Sequence, residues 1–279
     1  MDPLALGVML AVGENPLERV KHVKQMGFPT VQMGVPPPAF MTEEAKAELR
    51  AALAEAGVTV TTVFCGFEGE SYADIPTVRR TVGLVPKETR GERLERAGDI
   101  AQFAKDIGSP RIAIHIGFVP EEPADPEYPP CVETLQKLAD IAGDLDLGVA
   151  LETGQETAPT LKRYIEDAAR DNVGVNFDPA NMILYGSGDP IEALDHVGQC
   201  VVGTHCKDGK WPTEEGQLGH ETPLGEGDVG IEEFVTKLYN LGYRGPLTIE
   251  REITGDQQTK DILMAKELLE GIRAKLLSA

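Results

Sequence analysis

GVALETG, residues Gly148–Gly154, is a run of apolar and small residues that stops at the carboxylate of Glu152. Its length and composition suit a buried strand, and a glutamate ending such a strand is costly to bury unless a partner compensates its charge. Three later runs stop the same way: VGVNFD at Asp178, VVGTHCKD at His205 to Asp208, and PLTIERE at Glu250. The shared pattern predicts four strand ends that meet around one divalent metal ion.

On either side of this stretch, strand-like and helix-like runs alternate along the chain. Strands are expected at Leu4–Leu10, Thr30–Val35, Val58–Phe64, Arg111–Gly117, Gly148–Glu152, Val173–Asp178, Val201–Lys207 and Leu247–Arg251. Each precedes a helical pattern, the first at Pro16–Met26 with Asn15 as N-cap and the last near Asp256–Leu277. Eight strand–helix units predict an α/β protein, a single-domain (β/α)₈ TIM barrel over residues 1–279. A doubly wound open sheet is the alternative, ranked lower because the first strand–helix turn lacks a G-x-G-x-x-G phosphate fingerprint. Helix-to-strand links such as Gly57 are terse, whereas the links after strands, such as Gly66–Arg90 and Asp208–Gly230, are long. These long loops would gather over the C-terminal face of a barrel, where barrel active sites lie.

Composition narrows the partners. The 26 basic and 46 acidic residues give a formal charge of −20, which repels nucleic acid phosphate and anionic membrane surfaces. Neither nucleic acid nor membrane is an expected partner. The beginning of the chain lacks the marks of a secretory signal and no apolar run reaches spanning length, so a cytoplasmic location is expected. Cys65, Cys131, Cys200 and Cys206 form no C-x-x-C pair, which predicts reduced thiols with no zinc or redox motif.

Side chains alternate along a strand, so residues two apart share a face. If Glu152, Asp178, His205 and Glu250 point into the barrel, Ala150, Asn176, Gly203 and Thr248 form the layer beneath them. That layer is small or polar and leaves room for a polar site. Three carboxylates and one neutral imidazole make a hard shell suited to one divalent ion, Mn²⁺, Mg²⁺ or Co²⁺, with Zn²⁺ also admitted. Taken singly, each carboxylate is as readily a helix N-cap or a surface residue. Four at one depth on consecutive strands favour the metal.

The order and spacing of LET at Glu152, NFDPAN at Asp178, THCKD at His205 and TIERE at Glu250 resemble the xylose isomerase-like barrel family of sugar isomerases and epimerases. The segment PLGEGDVG, Pro223–Gly230, supports the resemblance, which runs over nearly the whole chain. It implies that the four residues ligate one catalytic metal and that Glu152 and Glu250 flank a small-molecule carbohydrate substrate as acid and base. Proton removal beside a carbonyl would give a metal-stabilised enediolate, and protonation from the opposite face would epimerise the centre. Members of the family are often dimers or tetramers, which leaves a homo-oligomer open.

Two positions depart from the family. Asn181 stands three residues after Asp178, where many members carry histidine, and Trp211 stands six after His205, where epimerases often carry arginine. Asn181 can hydrogen-bond a hydroxyl and Trp211 can pack on a sugar face, but neither replaces a cation. The expected substrate is therefore broad: a small sugar, keto-sugar or polyol derivative. Lys207 is expected to hold an anionic group of the substrate or to pair with a ligand carboxylate, and His115 to face the same mouth. Glu226 and Asp228 are expected to shape their loop. A dehydratase of the inosose type and a non-catalytic sugar-binding barrel are the alternatives. A related three-zinc abasic-site nuclease is disfavoured by five histidines and the acidic charge.

Overall fold

The computed structural model describes residues 2–10 and 15–278. Among these, eight parallel strands close a barrel: β1 (Leu6–Leu10), β2 (Thr30–Gly34), β3 (Thr59–Phe64), β4 (Arg111–Ile114), β5 (Gly148–Glu152), β6 (Val173–Phe177), β7 (Val201–Cys206) and β10 (Leu247–Ile249). Their order around the barrel is β1-β10-β7-β6-β5-β4-β3-β2. The intervening β8 (Asp208–Lys210) and β9 (His220–Thr222) form an antiparallel hairpin in the long loop after β7.

Local chemistry sets the helix ends. The first helix, α1 (Pro16–Met26), starts with Asn15 accepting from the Glu18 backbone N–H and stops at Gly27 in the left-handed region. The next, α2 (Glu43–Ala56), is capped by Thr42 and ends at Gly57 in the same way. The other long helices are α4 (Arg90–Asp106), α5 (Tyr128–Gly143), α6 (Ala158–Ala168), α8 (Pro190–Val197), α9 (Ile231–Asn240) and α10 (Asp256–Ser278). Two short helices lie outside the expected alternation, α3 (Ile75–Thr81) and α7 (Pro179–Tyr185). Each follows an aspartate that caps it, Asp74 and Asp178, with a proline in its first turn. Among the described residues no helix is long and apolar enough to cross a membrane.

The strands alternate in polarity. Val8, Leu10, Val31, Met33, Ile112, Ile114, Val149, Leu151, Val175, Phe177, Leu247 and Ile249 join the main apolar core shared with the helices. A separate small cluster of Phe64, Ala113 and Ala150, with Met9 packed against it, lies inside the barrel. The rest of the interior is polar: Thr30, Gln32, Thr62, Asn176 and Thr248 are all buried. The apolar burial that stabilises the fold is thus concentrated outside the sheet, and the axis is left to hydrogen bonds.

Five expected strands end early, three of them by one residue and two by more. The strand expected at Arg111–Gly117 ends at Ile114, because the Ile116 carbonyl is taken by the N–H groups of Leu84 and Val85 from the loop after β3. Gly83 permits this close approach, since it has φ +77° and a side chain there would collide with the Ile116 backbone. The last strand stops at Ile249 instead of Arg251, although the Glu250 N–H still reaches the Cys206 carbonyl at 3.3 Å. All four cysteines are free, and burial pushes the Cys65 and Cys206 thiols up to about 12, as befits core fillers.

Gly203 makes room for the polar axis. A Cβ there would lie 2.4 Å from Asn176 Oδ1 and 3.2 Å from Gln32 Nε2. Replacing Gly203 by Ala is expected to destabilise the fold by about 1–3 kcal/mol, as overpacking does. Urea denaturation checks this, and an unchanged midpoint would show that the interior can yield.

Candidate metal centre

Four adjacent strands, β10, β7, β6 and β5, carry the expected ligands just at or beyond their C-terminal ends. Glu250, His205, Asp178 and Glu152 therefore line half the barrel mouth, with the two glutamates at the ends of the arc. One ligand atom from each lies within 4.8 Å of all the others. Opposed ligands of one small divalent ion sit about 4.3 Å apart, so the cluster is close to the size of a single coordination shell.

Two of the atoms that would face an ion, His205 Nδ1 and Asp178 Oδ2, lack a hydrogen-bond partner. His205 Nδ1 is 2.9 Å from Glu152 Oε1, 3.2 Å from Glu250 Oε2 and 3.6 Å from Asp178 Oδ2. None of these oxygens is placed to accept a hydrogen bond from it, and Asp178 Oδ2 is equally unpartnered. The other oxygen of Asp178, Oδ1, caps α7 by accepting from the Asn181 N–H at 2.9 Å. Asp178 thus serves as N-cap and as candidate ligand at once.

A line of amides orients the cluster. The Glu152 carboxylate Oε2 accepts from Asn176 Nδ2 at 2.6 Å. Asn176 Oδ1 accepts from Gln32 Nε2 at 2.9 Å, and Gln32 Oε1 lies 2.9 Å from His205 Nε2. An ionised carboxylate only accepts, so it fixes the orientation of Asn176, then Gln32, and finally places the proton of His205 on Nε2. Nδ1 is left as the nitrogen that faces the three carboxylates, to bind a proton or an ion there. Phe64 stacks on the His205 ring at a centroid distance of 5.1 Å and limits its rotation.

Charge completes the fit. Lys207, itself buried, donates to Glu250 Oε2 at 3.2 Å, Glu252 Oε1 at 2.7 Å and Asn181 Oδ1 at 3.1 Å. Three carboxylates against this one ammonium leave a charge that one divalent ion cancels. Without an ion the electrostatics are strained: burial pushes the Glu152 carboxyl above the usual range. Burial acts on Glu250 in the same sense, but His205 and Lys207 overcome it and hold that carboxyl well below the range. Against burial, the carboxylates of Glu152 and Glu250 raise the His205 pKa well above its ordinary value.

A pocket of about 430 Å³ opens beside the centre, lined in part by Tyr72, His115, Asn181, Tyr185, Glu221 and Glu252. His115 sits one residue beyond β4, and burial lowers its pKa to about 4, which keeps it neutral. Trp211 lies elsewhere, 39% exposed on the loop beyond β8 and absent from that lining. Asp208 holds the PLGEGDVG loop by accepting from the N–H groups of Gly209, Gly225 and Val229, and the backbone N–H groups of Glu226 and Asp228 add bonds to the Pro223 and Gly209 carbonyls. Sequence patterns do not single out Gln32, Tyr72, Tyr185, Glu221 or Glu252; Gln32 alone carries a local signal, a buried amide within the strand TVQMG.

A profile of the xylose isomerase-like TIM barrel matches residues 20–274. The chain belongs to this family. A xylose isomerase domain protein from Planctomyces limnophilus is 47% identical in sequence, with TM-score 0.94 over 99% of this chain and 100% of that one. A D-tagatose 3-epimerase-like protein is 19% identical with TM-score 0.78, covering 100% and 99% of the two chains. A xylose isomerase-like barrel from Mycobacterium smegmatis, solved in complex with magnesium, is 18% identical with TM-score 0.71, covering 99% and 98%. The last two likenesses establish the xylose isomerase-like fold and no more.

Replacing Gln32 by Leu should keep the fold yet weaken Mn²⁺ binding about 10- to 100-fold, the usual effect of losing such a supporting residue. Titration calorimetry reads the affinity, and an unchanged value would remove Gln32 from the centre. A second expectation concerns Glu156, a buried residue whose carboxyl oxygens meet no hydrogen-bond partner. Burial raises its pKa to about 8, and the nearby backbone N–H groups of Glu156 and Val119, too poorly aligned to bond the carboxyl, only soften this. The native state therefore holds this proton more tightly than the unfolded chain, so stability is full below the unfolded pKa and is lost as pH rises toward 8. Between pH 5 and 8 the loss from this group is roughly 3 kcal/mol. Glu156→Gln should flatten that slope in urea denaturation of the metal-free protein.

Proposed function

We propose that this chain is a divalent-metal-dependent isomerase or epimerase of a small carbohydrate, keto-sugar or polyol derivative. The observation that carries this reading is the unpartnered pair His205 Nδ1 and Asp178 Oδ2, enclosed by Glu152 and Glu250 at the ends of one arc. Membership of a family whose solved structures include sugar epimerases supports it, as does the magnesium complex of one neighbour.

Glu152, Asp178, His205 and Glu250 would hold the ion, with Mn²⁺, Mg²⁺ or Co²⁺ matching the three oxygen donors and one nitrogen. Once bound, the ion would supply Lewis-acid stabilisation of negative charge developing on substrate oxygens. The protein's own groups move the protons. Glu250, kept ionised by Lys207, takes the proton from the carbon beside the substrate carbonyl. Glu152, at the far end of the arc, returns a proton to the other face, and Asn176 holds its Oε2 in place meanwhile. Neutral His115 and the amide of Asn181 are set to meet substrate hydroxyls. The two glutamates end each turnover with exchanged protonation and must re-equilibrate with water, so solvent hydrogen enters the product.

The Mn²⁺-loaded protein is expected to incorporate deuterium from D₂O into a ketose, inosose or hydroxy-ketoacid from a small panel, followed by NMR. Glu250→Gln should reduce the exchange by at least about 100-fold. Exchange at the wild-type rate in that variant would refute the two-glutamate reading. Loss of one water from the product would instead assign a dehydratase.

A further inference from the structure

We propose that Glu252 determines specificity: by occupying Lys207 it denies the buried ammonium to anionic ligands and restricts the pocket to uncharged polyhydroxy compounds. This rests on the carbohydrate reading above and narrows its substrate class.

An ammonium has three hydrogens to donate. Lys207 gives one each to Asn181, Glu250 and Glu252, so none is left for a ligand. The first two acceptors are buried parts of the centre, whereas the Glu252 side chain is 61% exposed and lines the pocket. Of the three, only Glu252 can be exchanged for a group arriving from solvent.

Its backbone is fastened in place. The Glu252 N–H donates to the carboxylate of Glu221 at 3.1 and 3.2 Å, and Glu221 is paired with Arg251 at 2.9 Å. Arg251 is engaged in turn by Asp261 at 2.8 Å, so its charge is also committed. The described lining of the pocket contains no Lys or Arg. Exposed Arg79 stacks on Phe118 at 4.2 Å and is not part of the lining.

With a divalent ion balancing the inner carboxylates and Lys207, Glu252 leaves the mouth with one excess negative charge. A carboxylate or phosphate entering there must repel Glu252 or displace it from Lys207. A neutral polyol needs only hydroxyl partners, which His115, Asn181 and Tyr185 offer.

The test compares Mn²⁺-loaded wild type, Glu252→Gln and the double variant Glu252→Gln/Lys207→Met by calorimetry with D-fructose and D-glucuronate. Wild type should prefer D-fructose by at least about tenfold, and Glu252→Gln should gain about tenfold or more for D-glucuronate alone, the worth of a charge-assisted hydrogen bond. The double variant should lose that gain. A wild type that binds D-glucuronate as tightly as D-fructose, for example through Arg79, overturns the proposal, as does an unchanged preference in Glu252→Gln. If neither sugar binds, sulfate still decides the role of Glu252, and the deuterium-exchange panel decides the carbohydrate reading. Sulfate should raise the Tm of Glu252→Gln above its effect on wild type and on the double variant, and equal shifts in all three overturn the proposal.

Discussion

Glu152, Asn176, Gln32 and His205 form a hydrogen-bonded line across the barrel whose direction is dictated by its first member. A carboxylate cannot donate, so each amide must turn its N–H₂ toward Glu152 and its carbonyl toward His205. The strands β6 and β2 that supply the two amides stand opposite one another in the closed order. Barrel closure is therefore what brings them together, and their contact in turn presents Nδ1 to the carboxylates. Fold and site share one constraint.

That constraint explains an unusual division of polarity. Barrel interiors are commonly filled by branched apolar side chains. Here much of the axis is amide, hydroxyl and glycine, and the apolar surface is packed between strands and helices. A buried polar network is stable only when its members are satisfied. Asn176 and Gln32 satisfy one another, whereas the hydroxyls of Thr62 and Thr248 and, at the mouth, His205 Nδ1 and Asp178 Oδ2 are without partners.

Much of this is legible in the amino-acid sequence. The eight strand–helix units are present, and Asn176 and Gly203 lie beneath the ligands as strand alternation requires, because period two is a local property of a strand. The four strand-end residues converge, since strands of a parallel barrel all point their C-termini at one face. Lys207 pairs with Glu250, one of the two roles the sequence leaves open. What escapes a linear reading is non-local or short. Phe64 meets His205 from the opposite strand, a pairing that no window of sequence contains. The hairpin of β8 and β9 spans three residues a side and is fixed by Asp208 gathering distant N–H groups. Trp211 becomes a candidate only by counting from His205, and a count along the chain does not say which residues of the loop beyond β8 reach the pocket lining, where Trp211 is absent.

The arc of ligands occupies only β10, β7, β6 and β5, and this asymmetry has an evolutionary consequence. Mutational drift in the loops after β3 and β4, which carry Tyr72 and flank His115, can reshape what the pocket admits without touching the ligands. The candidate ligands are thus confined to one half of the barrel, whereas the pocket wall draws on both, since Asn181, Glu221 and Glu252 follow strands of the arc. Gln32 crosses that division, a residue of β2 that donates to Asn176 and lies 2.9 Å from His205 on the opposite half.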